Sequence, residues 1–298
     1  VVNSRAATTI TKTNYHGWPN SYVLSNGSVE VIVVPSIGRV MQFKFAEEET
    51  GPFFENRAMD GKHPIPTSKE WGNFGGDKTW PSPQDDWPKI TPRGWPPPIA
   101  FDSMPVDAEV EADTLRLISR VDPDYGIRTE RVISLAADDA QMMIKTTYHK
   151  IEGVPRKVGI WIITQLSEPD FVFIPTRMGE KFIHQSEDLP YALNISKTAL
   201  TLKRSAAKST KIGTDADSIF WIGPKTAVEI ESIREAGEYP DQGSSAEVYT
   251  NPNPLTYVEL EMLGPLHTMA KGDKISQSNT YRLFHRADLP KHITENSL

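Results

Sequence analysis

Short apolar runs that alternate with a period of two, cut at short intervals by turn-forming residues, recur along this chain from Tyr22 to His285. A chain so patterned builds strands, because side chains alternate across a strand while a helix repeats every three to four residues. Tyr22-Val23-Leu24 leads through Ser25-Asn26-Gly27-Ser28 into Val29–Val34. Asn-Gly between two apolar runs is the strongest short hairpin signal, since both residues tolerate φ > 0. Pro35 closes that strand, and Gly38 opens a third, Arg39–Phe45. The β pattern resumes over 106–121. Further strands are expected at 127–135, 140–149, 157–166, 171–174, 191–195, 199–204, 218–222, 226–233, 246–250, 256–263 and 274–284. Many short strands between turn signals indicate an all-β sandwich or barrel. Short helices are expected only at 181–189 and 205–211, and residues 1–20 read as irregular surface chain. No repeat, low-complexity tract or composition break divides the 298 residues, so one domain is expected over 1–298.

One stretch breaks the pattern. Residues 46–100 carry little periodicity, and within them 69–98 holds Trp71, Trp80, Trp87 and Trp95, seven prolines and the pair Gly75-Gly76. Proline lacks the N–H that a helix interior or a central strand needs, so neither is expected here. The tryptophan content points to an ordered loop that lays aromatic faces over something, and loops this long are commonly functional. Two readings stay open. The loop packs onto the core with no ligand, or one or two of its tryptophans stack on the C–H faces of a sugar, to which they offer rigid apolar area.

Composition excludes several classes. The chain has no cysteine, so disulfides, thiolate metal sites and cysteine nucleophiles are absent. A net charge of −7 argues against a nucleic-acid or anionic-membrane partner. No apolar run is long enough to cross a bilayer. The sequence begins at Val1 without an apolar signal core, from which a removed leader and a periplasmic or secreted location are expected, with a cytoplasmic one still open. The seven histidines show no metal-ligand spacing, so no cofactor is expected. A calcium ion held by Asp85, Asp86 and carbonyl oxygens is the one metal alternative. No Gly-x-Ser-x-Gly elbow is present.

Residue parity assigns faces. In 140–149, Lys145, Thr147 and His149 share one side. In 157–166, Trp161, Ile163 and Gln165 oppose Val158, Ile160 and Ile162. In 256–263, Tyr257, Glu259, Glu261 and Leu263 share one face, with the two acids roughly 6.5–7 Å apart along the strand. On a solvated face these are ordinary acids; in a cleft, repulsion and desolvation would leave one usable as an acid or base. Glu247 and Tyr249 could join them across a hairpin through 251–254. Asp77 and Lys78, after two glycines, form either a surface ion pair or a pair that binds sugar hydroxyls, Lys78 stabilising an oxyanion. Arg128 and Arg131 flank Glu130 and read as cross-strand ion partners, with Arg128 a candidate ligand contact. Arg39 is expected to neutralise a buried acid.

Four stretches together resemble the galactose-mutarotase-like superfamily, in an uncharacterised bacterial branch. They are 35–40 (Pro-Ser-Ile-Gly-Arg-Val), 73–83 (Asn-Phe-Gly-Gly-Asp-Lys-Thr-Trp-Pro-Ser-Pro), the strands 140–149 and 157–166 read as a pair, and Tyr257-Val258-Glu259-Leu260-Glu261 before Gly264-Pro265. The resemblance implies a large antiparallel supersandwich whose concave face holds a mono- or oligosaccharide. It implies a histidine acid and a glutamate base that interconvert anomers. Glu261 matches the glutamate by position. The strand that should carry the histidine reads Trp161-Ile162-Ile163-Thr164-Gln165, so His149 or Lys78 stands as the complementary group. Mutarotase, epimerase or lyase chemistry is the leading expectation. The alternatives are a non-catalytic sugar binder, or a glycoside hydrolase pairing Glu261 with Glu247 or Asp77.

Overall fold

The computed structural model describes residues 8–102, 104–176 and 182–294. Two antiparallel sheets face each other across one extended hydrophobic core. The first runs Thr9–Tyr15, Trp18–Ser25, Val29–Val34, Arg39–Phe45, Asp77–Ser82, Arg156–Ser167, Tyr257–Leu263, Ala246–Thr250, Thr210–Thr214 and Phe182–His184, with His267–Met269 beside the start of Arg156–Ser167. The second runs Tyr191–Ile195, Ala199–Lys203, Phe171–Pro175, Ser218–Ile222, Thr226–Glu231, Lys274–His285, Gln141–Lys150, Ile127–Leu135, Thr114–Ile118 and Asp107–Glu111. This is the expected all-β sandwich. Helix among the described residues is confined to single turns such as Trp87–Ile90 and Ile99–Asp102.

Alternation sets what each sheet buries. In Ile127–Leu135, residues 127, 129, 131, 133 and 135 are buried and those between them are half-exposed. Arg131 therefore points inward, where it pairs with Asp77 of the opposite sheet. Thr164 and Tyr281 donate to the other oxygen of Asp77 at 2.7 and 2.6 Å. A charge pair this buried persists because every oxygen of the carboxylate has a donor.

Several expectations are corrected. Residues 8–20 are not irregular: Thr9–Tyr15 is a strand paired with Trp18–Ser25. Neither expected helix forms among the described residues; Phe182–His184 and Thr210–Thr214 are strands, and residue 181 lies outside the described residues. The strands 140–149 and 157–166 are consecutive but unpaired. The turn between them crosses from one sheet to the other, so Gln141–Lys150 pairs with Ile127–Leu135 and Lys274–His285 instead. Parity reveals a face, but carries no information about which sheet a strand joins.

The fourth correction concerns proline. Asp77–Ser82, with Pro81 inside it, is a strand in the middle of the first sheet. Its partner on one side is Gly159–Thr164, while on the other it touches Arg39–Phe45 only at Val40↔Asp77. Beyond Asp77 that side has no strand partner among the described residues. The Pro81 carbonyl accepts the Trp87 indole N–H at 2.8 Å, while its register partner Ile160 accepts from Gly264 on the far side. Pro81 thus sits at a non-hydrogen-bonded position, where its missing N–H breaks no ladder bond.

Candidate active site

Strand register builds the site on the face of the first sheet that points away from the core. Lys78, Ile163, Glu261, Glu247 and Gly213 lie in one row across five strands. Gln165, Glu259, Tyr249 and Lys211 form the next row on one side, and Trp80, Trp161 and Leu263 the row on the other. Over these rows lies a cavity of about 600 Å³, walled by Trp71, Trp95, Trp161, Tyr249 and Tyr257, with Glu259, Glu261 and Lys211 in its lining.

The tryptophan-rich stretch forms one wall. Trp80 is the hub, with ring centroids 5.6 Å from Trp71, 5.6 Å from Trp87, 6.1 Å from Trp95 and 5.5 Å from Trp161. Asp102 holds two of these rings: its oxygens accept the Trp71 indole N–H at 2.9 Å and that of Trp80 at 3.0 Å. Arg39 neutralises Asp102, both side chains being buried. Arg39 was expected to neutralise an acid; which acid was not legible, since Asp102 lies 63 residues away on a single helical turn. Gly75 and Gly76, with φ of 92° and 70°, bring the stretch in beside 53–55; a Cβ at Gly75 would collide with the Phe54 carbonyl oxygen.

Both acids are held by one oxygen. Glu261 Oε2 accepts the Trp161 indole N–H at 2.7 Å and the Lys211 ammonium at 2.9 Å, and no described residue donates to Oε1. Glu259 Oε1 accepts from Gln165 at 2.7 Å and lies 3.5 Å from Lys78 Nζ, and no described residue donates to its Oε2. Each carboxylate is therefore fixed through one oxygen while the other remains available to a ligand.

Protonation is set behind the site. Glu247 is fully buried opposite Glu261, 2.7 Å from Lys211, and Gln185 donates to it at 2.5 Å. Gly213 makes this possible, since a Cβ there would collide with Gln185 and Ser244. Burial pushes the Glu247 carboxyl up to about 8, with Glu261 adding to the shift and Lys211 opposing it. Burial likewise raises Glu259, against the pull of Lys78. Burial works against the Lys211 ammonium, but Glu247 and Glu261 outweigh it and hold its pKa above the ordinary lysine range. Lys78 goes the other way: burial lowers it, although Glu259 opposes. Its ammonium makes no hydrogen bond among the described residues and lies 4.7 and 5.4 Å from the ring centres of Trp80 and Trp71.

No protein-family model matches the sequence, and no curated protein matches it. Solved structures do. A galactose mutarotase-like protein from Clostridium acetobutylicum superposes with a TM-score of 0.63 at 8% identity, covering 94% of this chain and 99% of its own. The chain shares the fold of this galactose mutarotase-like structure. A candidate aldose 1-epimerase from Escherichia coli K12 matches over 93% of this chain and 100% of its own, with a TM-score of 0.58 at 13% identity. A galactose mutarotase-related enzyme from Lactobacillus acidophilus matches over 90% and 98%, with a TM-score of 0.56 at 10% identity.

On this galactose-mutarotase-like sandwich the expected site residues divide. Glu259, Glu261, Trp71, Trp80, Trp95 and Trp161 line the cavity. Gln165, Lys78 and Glu247 lie behind the lining acids and touch them or their partners. Four expectations are corrected. Asp77 faces the core, where it joins the two sheets and meets no ligand space. Trp87 is fully buried, its N–H spent on Pro81, so it packs the loop and offers no stacking face. His149 and Arg128 sit on the outer face of the second sheet beside Glu130, so His149 cannot complement Glu261. Among the described residues no group of three or more His, Cys, Asp or Glu is placed to hold a metal ion, and Asp86 pairs with Lys89 at 2.8 Å. Lys211, Gln185 and Asp102 were missed. Lys211 stood inside an expected helix; the β-branched alternation of Thr210-Lys211-Ile212 was the signal that could have placed it.

Proposed function

We propose that the cavity binds a saccharide and that Glu261 and Glu259 exchange protons with its anomeric centre. The observation that carries this reading is the singly held carboxylate: Glu261 is fixed through Oε2 while Oε1 has no donor among the described residues. Flanking aromatic rings supply the flat apolar walls that suit a pyranose. In the reaction, Glu261 Oε1 takes the proton of the anomeric hydroxyl and Glu259, its pKa raised, delivers one to the ring oxygen. The bond between anomeric carbon and ring oxygen breaks as the carbonyl forms. Reclosure on the other face of the carbonyl returns both protons. The likeness to galactose mutarotase-like and aldose 1-epimerase structures supports the same class of substrate. No cofactor enters these steps.

The test is anomer equilibration followed by proton NMR, across a panel of aldoses at enzyme concentrations where the spontaneous rate is known. Glu261→Gln keeps shape and removes the titrating group, and should lower the catalysed rate about 100-fold or more. A wild-type rate in that variant would end the assignment. A second reading, binding without catalysis, is favoured by the absence of any histidine from the cavity lining. It predicts saccharide binding with no acceleration in the wild-type protein, and loss of binding in Trp95→Ala.

A further inference from the structure

A second cavity, of about 350 Å³, lies beside the first and shares Trp71, Asn73 and Leu255 with it. We propose that the two form one extended cleft and that the ligand is an oligosaccharide, one unit over Glu259 and Glu261 and the next units across Trp71 toward His63 and Ile65. The inference rests on the saccharide reading above and adds the length of the ligand.

Three observations carry it. Trp71 lines both cavities, and its indole N–H is anchored on Asp102 at 2.9 Å. That tether fixes the ring at the junction of the two cavities. Asn73 also lines both cavities; its Oδ1 accepts the Gly75 N–H at 3.2 Å, which leaves the side-chain NH2 to donate to a hydroxyl. Finally, Trp95 and Ile65 are 43% and 66% exposed, and each lines only one of the two cavities. A single exposed apolar residue is ordinary; two that stand on separate lobes of one cleft match a ligand with repeating apolar faces.

Size points the same way. The larger cavity alone falls within the roughly 300–1,000 Å³ that encloses drug-sized ligands, and a single hexose is smaller than those. The second lobe sets His63, Ser68 and Glu70 beside Pro64 and Ile65, a mixture of polar and apolar groups that suits a sugar.

The experiment titrates the intact protein by tryptophan fluorescence with malto-, cello- and galacto-oligosaccharide ladders, from monosaccharide to hexasaccharide. Affinity should rise about tenfold or more between the mono- and tetrasaccharide of at least one ladder. Ile65→Arg, at an exposed position that folding tolerates, should remove most of that increment and leave the monosaccharide within about twofold. His63→Ala should act in the same direction. Affinity that is flat along every ladder, or an increment that survives both substitutions, overturns the extended cleft and leaves the single-sugar reading standing. Failure of every mono- and oligosaccharide to bind overturns both.

Discussion

Glu247 stands directly opposite Glu261 in the sheet, and one ammonium, that of Lys211, lies within 2.9 Å of both. One positive charge balances one carboxylate, so the other acid keeps its proton. That acid is Glu247, which burial pushes from its ordinary 4.5 up to about 8. The native state then holds a proton that the unfolded chain has released across this window. The stabilisation is fully present below pH 4.5 and is lost as pH rises toward 8, at no more than about 1.4 kcal/mol per pH unit. Thermal melts from pH 5 to pH 9 should show a steeper decline for the wild-type protein than for Glu247→Gln. Parallel curves would remove Glu247 as the site of the proton.

Asp102 gathers Arg39, Trp71 and Trp80 around one buried carboxylate. Arg39→Met strands that charge, and breaking a buried pair from one side costs about 3–5 kcal/mol. Urea denaturation should report that loss, and the tryptophan emission of the folded variant should shift as the cavity wall loosens. An unchanged midpoint would mean that Asp102 is held by the two indoles alone.

Gly75 and Gly27 have nearly the same φ, 92° and 88°, but only Gly75 sits against a carbonyl oxygen; a Cβ at Gly27 meets nothing within 4 Å. Alanine at either site bears the same left-handed backbone cost of about 1–3 kcal/mol. Gly75→Ala should therefore destabilise by clearly more than Gly27→Ala in matched urea titrations. Equal losses would show that close approach at Phe54 is unimportant.

Asp77 separates stability from binding. Asp77→Asn should cost about 3–5 kcal/mol, because it leaves Arg131 as a buried uncompensated cation. Saccharide affinity of the folded fraction should stay within about twofold, measured by calorimetry at low temperature. A selective loss of affinity at unchanged stability would return Asp77 to the site.

The acidic strand was legible because a period of two is local. Tyr257, Glu259 and Glu261 had to share a face, and so did Trp161 and Gln165, whatever the topology. Sheet membership is not local. His149 was placed on the correct face of its strand, but that strand belongs to the other sheet, which the turn at 151–155 reaches by crossing over. Lys211 and Gln185 reach Glu247 only through register between strands far apart in sequence. The tryptophan stretch was legible as an ordered cover. Its division into packing (Trp87) and cavity wall (Trp71, Trp95) depends on which ring the tertiary fold buries, and composition is silent on that.

Pro81 lies where the sheet forks. With Val40 opposite Asp77 in an antiparallel register, the residues after Asp77 run past Arg39, where the neighbouring strand begins, and the two part there. Residues 83–102 occupy the notch so created, as a wedge driven between two tines. The offset between two strands thus leaves a seat in the sheet for the tryptophan stretch that walls the cavity.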